Sequence, residues 1–197
     1  MLRHQPFLTD EVLHTIAHNV KNLERLNIAH SSQITDAGIE AIAQNETPLI
    51  YFTFNAAQMT DQGLSTLFSR MHHLMGLSIQ DGHSLTDAVF YRCGEFANFT
   101  TAAFIDCPLL EGNFLASWSK IFLRAIRFSH TAIRDEALIH LADHFLEHIY
   151  LQGCPFLTDH GVLSLKKVKE IHILNCTGIT HAAAQQLRKT AEQVYWS

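Results

Sequence analysis

The sequence predicts an α/β fold: a right-handed solenoid with a parallel concave β-sheet of about eight strands and helices on its convex side. Three observations lead there. An apolar-Thr-Asp phrase recurs at Leu8-Thr9-Asp10, Ile34-Thr35-Asp36, Met59-Thr60-Asp61, Leu85-Thr86-Asp87 and Leu157-Thr158-Asp159, with worn copies at Leu110-Glu111-Gly112, Ile133-Arg134-Asp135 and Ile179-Thr180-His181. The second residues of these eight copies are spaced by 26, 25, 26, 25, 23, 24 and 22. A short alternating apolar stretch lies before each copy from the second onward, and a helix-like apolar period follows. One strand plus one helix cannot bury its apolar face alone, so such units stack into one continuous core.

The strands follow from period-two alternation. The inward pairs are Leu26/Ile28, Phe52/Phe54, Leu77/Ile79, Ala102/Phe104, Ile126/Phe128, Ile149/Leu151 and Ile171/Ile173, with Val194/Trp196 as a last pair. The helices follow from period 3.6. Ile34, Ile39, Ile42 and Ala43 share one face; Met59, Leu64 and Leu67, then Ile133, Leu138, Leu141 and Ala142, repeat the pattern. Threonine is a good N-cap, and aspartate suits the positive end of a helix dipole, so the phrase marks helix starts rather than a catalytic motif. Gly38, Gly63 and Gly161 follow at the position where a helix would approach its neighbour closely.

The expected organisation is a single domain over 1–197. Residues 1–22 form an N-terminal helical half-repeat, 23–193 the repeats, and 194–197 a terminal strand. Gln5 aligns with Cys154 and Pro6 with Pro155, so the chain is expected to open at a turn. A helix from about Thr9 to Val20, with Val12, Leu13, Ile16 and Ala17 inward, then covers the first rung as a cap. The last strand offers an open edge, and an end-to-end contact at Trp196 is expected there.

Composition excludes several classes. The chain has 197 residues, 47% of them hydrophobic and 17% charged, and a formal net charge of -5. It reads as globular, and the net charge argues against a nucleic-acid partner. No apolar run is long enough for membrane insertion, and the N-terminus has no secretory core. A cytoplasmic or other reducing compartment is the expectation. Cys93, Cys107, Cys154 and Cys176 form no C-x-x-C pair. Fourteen histidines are many for this length, and their full protonation would reverse the sign of the net charge.

The stretches Ile149-Tyr150-Leu151-Gln152-Gly153-Cys154-Pro155-Phe156-Leu157-Thr158-Asp159 and Ile171-His172-Ile173-Leu174-Asn175-Cys176-Thr177-Gly178-Ile179-Thr180 carry a family resemblance. They resemble the cysteine-containing leucine-rich repeat, and the chain looks like the repeat region of F-box/leucine-rich-repeat proteins, but without an F-box. The cysteine position is otherwise held by small residues: Ser31, Ala57, Gly82 and Thr131, with Cys107 the third cysteine. The resemblance implies a non-enzymatic protein–protein interaction module, an adaptor, substrate-recognition or complex-assembly subunit with no cofactor. A ubiquitin-ligase substrate receptor acting through another subunit, a host-directed bacterial effector working in the host-cell cytosol, and a mitochondrial accessory subunit all fit it. The rival class is an enzyme, or an enzyme-regulatory fragment, with a site that the sequence does not display.

No catalytic motif appears. Cys154 and Cys176 should sit on adjacent rungs about 4.8 Å apart, where stacking as small buried residues accounts for them. His140 and His144, four apart, fall on the solvent face by repeat alignment and make no metal site. The candidate binding residues come instead from the outward strand positions. The central outward row reads Asn27, Thr53, Ser78, Ala103, Arg127, Tyr150, His172, Tyr195. Rungs two to four are small and polar there, apart from Tyr51 and Ile105 in the flanking rows. Arg127, His148, Tyr150, His172, Leu174 and Tyr195, with Tyr51, are the expected protein-binding residues, because aromatic and arginine side chains anchor interfaces. The alternative is that they only cover sheet surface. In the turn after the strands, Asp106 and His130 are expected to be neighbours.

Overall fold

A computed structural model describes residues 8–45 and 47–197; Gln5 and Pro6 lie outside them. In chain order the elements are α1 (Asp10–Asn19), β1 (Arg25–Ile28), α2 (Asp36–Gln44), β2 (Tyr51–Asn55), α3 (Asp61–Arg70) and β3 (Gly76–Gln80). Then come a 3-10 helix (Asp87–Glu95), β4 (Thr101–Ile105), a second 3-10 helix (Asn113–Lys120), β5 (Ala125–Ser129), α4 (Asp135–His140) and β6 (Leu146–Gln152). α5 (Asp159–Leu163), β7 (Val168–Leu174), α6 (His181–Leu187) and β8 (Gln193–Trp196) complete the series. The strands form one eight-stranded parallel sheet in sequence order, the α/β solenoid that the repeat requires. The register places Thr53, Ser78, Ala103, Arg127, Tyr150, His172 and Tyr195 side by side, rung after rung.

Seven of the eight inward pairs are buried. The eighth is not: Val194 is half-buried and Trp196 is 38% exposed, its ring 5.3 Å from that of His181. Among the described residues β8 pairs only with β7, so no next rung covers it. In α1, Leu13 and Ala17 are buried and Ile16 partly so, but Val12 is exposed, because the helix presents only a narrow stripe to α2.

The Thr-Asp phrase does more than start helices. Thr35, Thr60, Thr86, Thr158 and Thr180 accept a hydrogen bond from a first-turn backbone N–H; Thr9 does not. Each aspartate reaches the next rung. Asp10 accepts the Thr35 backbone N–H at 2.9 Å and the Thr35 hydroxyl at 2.6 Å. Asp36 holds Thr60, Asp61 holds Thr86, Asp135 holds Thr158 and Asp159 holds Thr180 in the same way. Asp87 instead takes the backbone N–H groups of Glu111, Gly112 and Asn113. Charge-assisted bonds of this kind contribute about 1.5–3 kcal/mol each when shielded, and less at the surface. The glycines fit this device. A Cβ on Gly63 would lie 2.1 Å from Asp36 Oδ1, and one on Gly38 2.3 Å from Asp10 Oδ1.

The series has one gap. Gly112 stands where an aspartate would, so the Arg134 backbone N–H bonds the Glu111 carbonyl oxygen instead, at 3.1 Å. An exposed Arg134–Glu111 pair at 3.5 Å adds little.

The helices after β3 and β4 are 3-10 rather than α-helices. Buried residues recur three apart within them, at Phe90 and Cys93 and then at Leu115 and Trp118, and Phe96, Phe99 and Ile121 continue the spacing just beyond the helices. Side chains at i and i+3 eclipse on a 3-10 helix, so that spacing puts both members of each helical pair on one face. Phe90, Phe114 and Trp118 build an aromatic cluster with Phe104 and Phe128, and the rings of Phe104 and Phe128 stack at 5.6 Å. The Trp118 indole N–H donates to the Phe90 carbonyl oxygen at 3.0 Å, which satisfies it inside the core.

Two turn positions differ from expectation. In repeat two the buried small residue is Ala56, and Ala57 is exposed. That turn has one residue fewer between its strand and Thr60 than the corresponding turn in repeat three, so the small inward position moves back by one. His144 is buried, against its expected place on the solvent face. α4 stops at His140, and the turn after it carries His144 inward. Burial lowers the His144 pKa from its ordinary value.

Candidate protein-binding surface

The outward face of the sheet divides into a groove and a stack. The groove is a depression of about 300 Å³ over β2 to β6. Its floor is small: Gly76, Ser78, Thr101, Ala103 and Ala125. Tyr51 closes one side, with the Arg25 guanidinium 4.2 Å over its ring. Arg127 and Tyr150 close the other. Gly76 has to be bare, since a Cβ there would fall 2.5 Å from Thr101 Oγ1 and 2.6 Å from Tyr51 Cδ1.

The stack begins where the groove ends. Parallel strands bring equivalent residues close together, so three aromatic rings in one row lie face to face. Tyr150 and His172 stack at 4.1 Å with an interplanar angle of 16°, and His172 and Tyr195 at 4.4 Å and 15°. Glu170 sits beside them between two histidines. His172 Nε2 is 2.6 Å from Glu170 Oε1, and His148 Nδ1 is 3.0 Å from Glu170 Oε2. The bond to His172 holds the Glu170 carboxyl below its ordinary pKa, and the charge of His148 acts the same way. The Tyr195 hydroxyl bonds Gln193 Oε1 at 2.6 Å.

Of the residues singled out in the sequence, Tyr150, His172 and Tyr195 form the stack, His148 joins it through Glu170, and Arg127 adjoins it. Tyr51 lies on the far wall of the groove. Leu174 is in the row beyond, beside Gln152, and takes no part in the stack. The groove floor was visible in the sequence only as a run of small outward residues, to which no role was attached. Sequence reasoning also missed Phe122 and Phe145, which occupy equivalent places on adjacent rungs and are 69% and 67% exposed. Lys167 Nζ lies 5.0 Å from the Phe145 ring.

The turn row carries the expected pair, with His130 Nδ1 2.8 Å from Asp106 Oδ1. Asp81, Asp106, His130 and Asn175 all adopt positive φ there, between 51° and 57°, as does Gly153 at 58°. The four cysteines are free and buried. Burial pushes the Cys107 thiol up to about 12 and raises Cys93 as well; both remain protonated, as inert core residues do. Among the described residues no cluster of three or more His, Cys, Asp or Glu is arranged to hold a metal ion, and no helix is long and apolar enough to cross a membrane.

A family model described as Leucine Rich repeat matches residues 21–43. The architecture is a leucine-rich-repeat solenoid. Among solved structures it is similar to a chain in the crystal structure of the Rad7 and Elc1 complex in yeast, with a TM-score of 0.72 and 15% sequence identity. That alignment covers 87% of this chain and 48% of the other, so the chain spans about half the length of this structural neighbour. Leucine-rich-repeat solenoids are interaction scaffolds that present an extended concave sheet.

Proposed function

We propose that the chain is a non-enzymatic adaptor or recognition subunit that binds an extended segment of another protein along its concave face. The stack of Tyr150, His172 and Tyr195 beside the groove carries this reading. It places rigid amphipathic rings, which lose little side-chain entropy on binding, next to a depression that an anchor residue can enter. Two further observations support it: the repeat architecture, and a structural neighbour that is itself part of a two-protein complex. On this reading residues 1–197 act as one repeat domain, with α1 covering the first rung.

The test is affinity capture from the source cell followed by quantitative mass spectrometry, comparing the wild type with Tyr150→Ala/His172→Ala. Truncating two central anchors should weaken capture of a specific partner by about thirtyfold or more. Circular dichroism should show the fold intact. Equal capture by both forms would remove the concave face from the proposal.

A further inference from the structure

We infer that the groove between Tyr51 and Arg127 receives an acidic side chain, carboxylate or phosphoryl, from the bound protein segment; this rests on the concave-face reading above. The argument starts from Arg127. Its side chain is half-buried, with Nε donating to Ser129 Oγ at 2.9 Å and Nη2 to Gln152 Oε1 at 3.2 Å. Both acceptors are neutral. A guanidinium has five N–H donors, so most of its capacity faces the groove or solvent. Among the described residues no carboxylate pairs with it. A partly desolvated cation without a counter-charge is unfavourable, and a bidentate oxyanion is its natural complement.

The surroundings agree in sign. Arg127 is the one charged residue lining the groove, and no carboxylate lines it. Acids on neighbouring rungs are engaged elsewhere: Asp81 by Asn55, Asp106 by His130, Glu147 by Arg124 and Glu170 by the two histidines. The Arg25 guanidinium over Tyr51 adds a second cation at the opposite wall. Hydroxyls of Thr53, Ser78 and Thr101 supply neutral donors between them. A chain of formal net charge -5 thus keeps a positive concavity where its floor is lowest. Such a concavity steers and orients an anion.

Purified protein would be tested on four immobilised nonapeptide libraries, random except for a central Glu, Gln, phosphoserine or Ser. The Glu or phosphoserine library should retain the wild type about tenfold more strongly than its neutral counterpart, a difference that charge-assisted bonding supplies. Preference for Glu alone assigns a carboxylate ligand; preference for phosphoserine alone assigns a phosphoryl one. Arg127→Gln should erase the preference. Ala103→Glu places a carboxylate beside Arg127 on the adjacent strand; it should erase the preference too, while raising Tm. Equal retention by all four libraries, or by none, overturns the acidic groove. So does a preference that survives both substitutions. The capture experiment with Tyr150→Ala/His172→Ala decides the broader reading independently.

Discussion

The rungs beneath the groove and those beneath the stack are built inside out relative to each other. Under the groove the core is aromatic, with Phe90, Phe104, Phe114, Trp118 and Phe128 buried, while the outer face carries Thr101, Ala103 and Ala125. Under the stack the core is aliphatic, with Ile149, Leu151, Ile171 and Ile173, while the outer face carries Tyr150, His172 and Tyr195. The strand register is continuous through both regions. The difference therefore lies in where each repeat spends its bulky rings. Rings inside leave a depression outside; rings outside line the sheet as a stack.

The contrast can be broken at several strengths. Phe104→Ala should cost about 3–5 kcal/mol, because it opens a cavity inside the ring cluster. Urea denaturation measures this, and a loss under about 1 kcal/mol would show that the cluster does not carry the middle rungs. Gly63→Ala should cost about 1–3 kcal/mol by driving a methyl group into Asp36. Asp36→Ala in the same chain should recover part of that, a coupling that a double-mutant cycle reads directly. Additive losses would separate the glycine from the aspartate. Tyr195→Ala, at the exposed end of the stack, should cost about 1 kcal/mol or less in stability. A larger loss would make the stack a structural element rather than a contact surface.

Two pH effects should also separate the regions. Glu170 titrates lower in the folded protein than in the unfolded chain. Its contribution is in place above its ordinary value of 4.5 and is lost as the pH falls through the lower folded value. Glu170→Gln should flatten the acid limb of Tm against pH. His144 is a base held neutral by burial, so its contribution is complete above 6.5 and declines as the pH falls toward its lower folded value. His144→Phe should reduce the Tm loss on mild acidification, and an unchanged loss would remove His144 from the acid response.

The fold was legible because its signals are local and repeated. The Thr-Asp phrase and alternating strands need only neighbouring residues to be read, and they located the sheet register correctly. The 3-10 helices were written in the three-residue spacing of Phe90 to Cys93 and of Leu115 to Trp118, which a search for 3.6 periodicity passes over. The reach of Asp36 to Thr60 is a contact between rungs, and no single repeat displays it. His144 went astray because alignment assumed a longer helix than α4 provides. The groove escaped notice because small residues signal a surface only once their tall neighbours are placed around them.

Gly112 gains a meaning from this arrangement. The missing aspartate falls between the rungs of β4 and β5, where Ala103 of the groove floor lies beside Arg127 of its wall. Tyr51 and Arg127 thus stand on opposite sides of the one junction in this series that a main-chain carbonyl, rather than a carboxylate, fastens. Faster hydrogen exchange at the Arg134 amide than at the Thr60 or Thr158 amide would show that junction to be the looser one; equal rates would make it as firm as the rest.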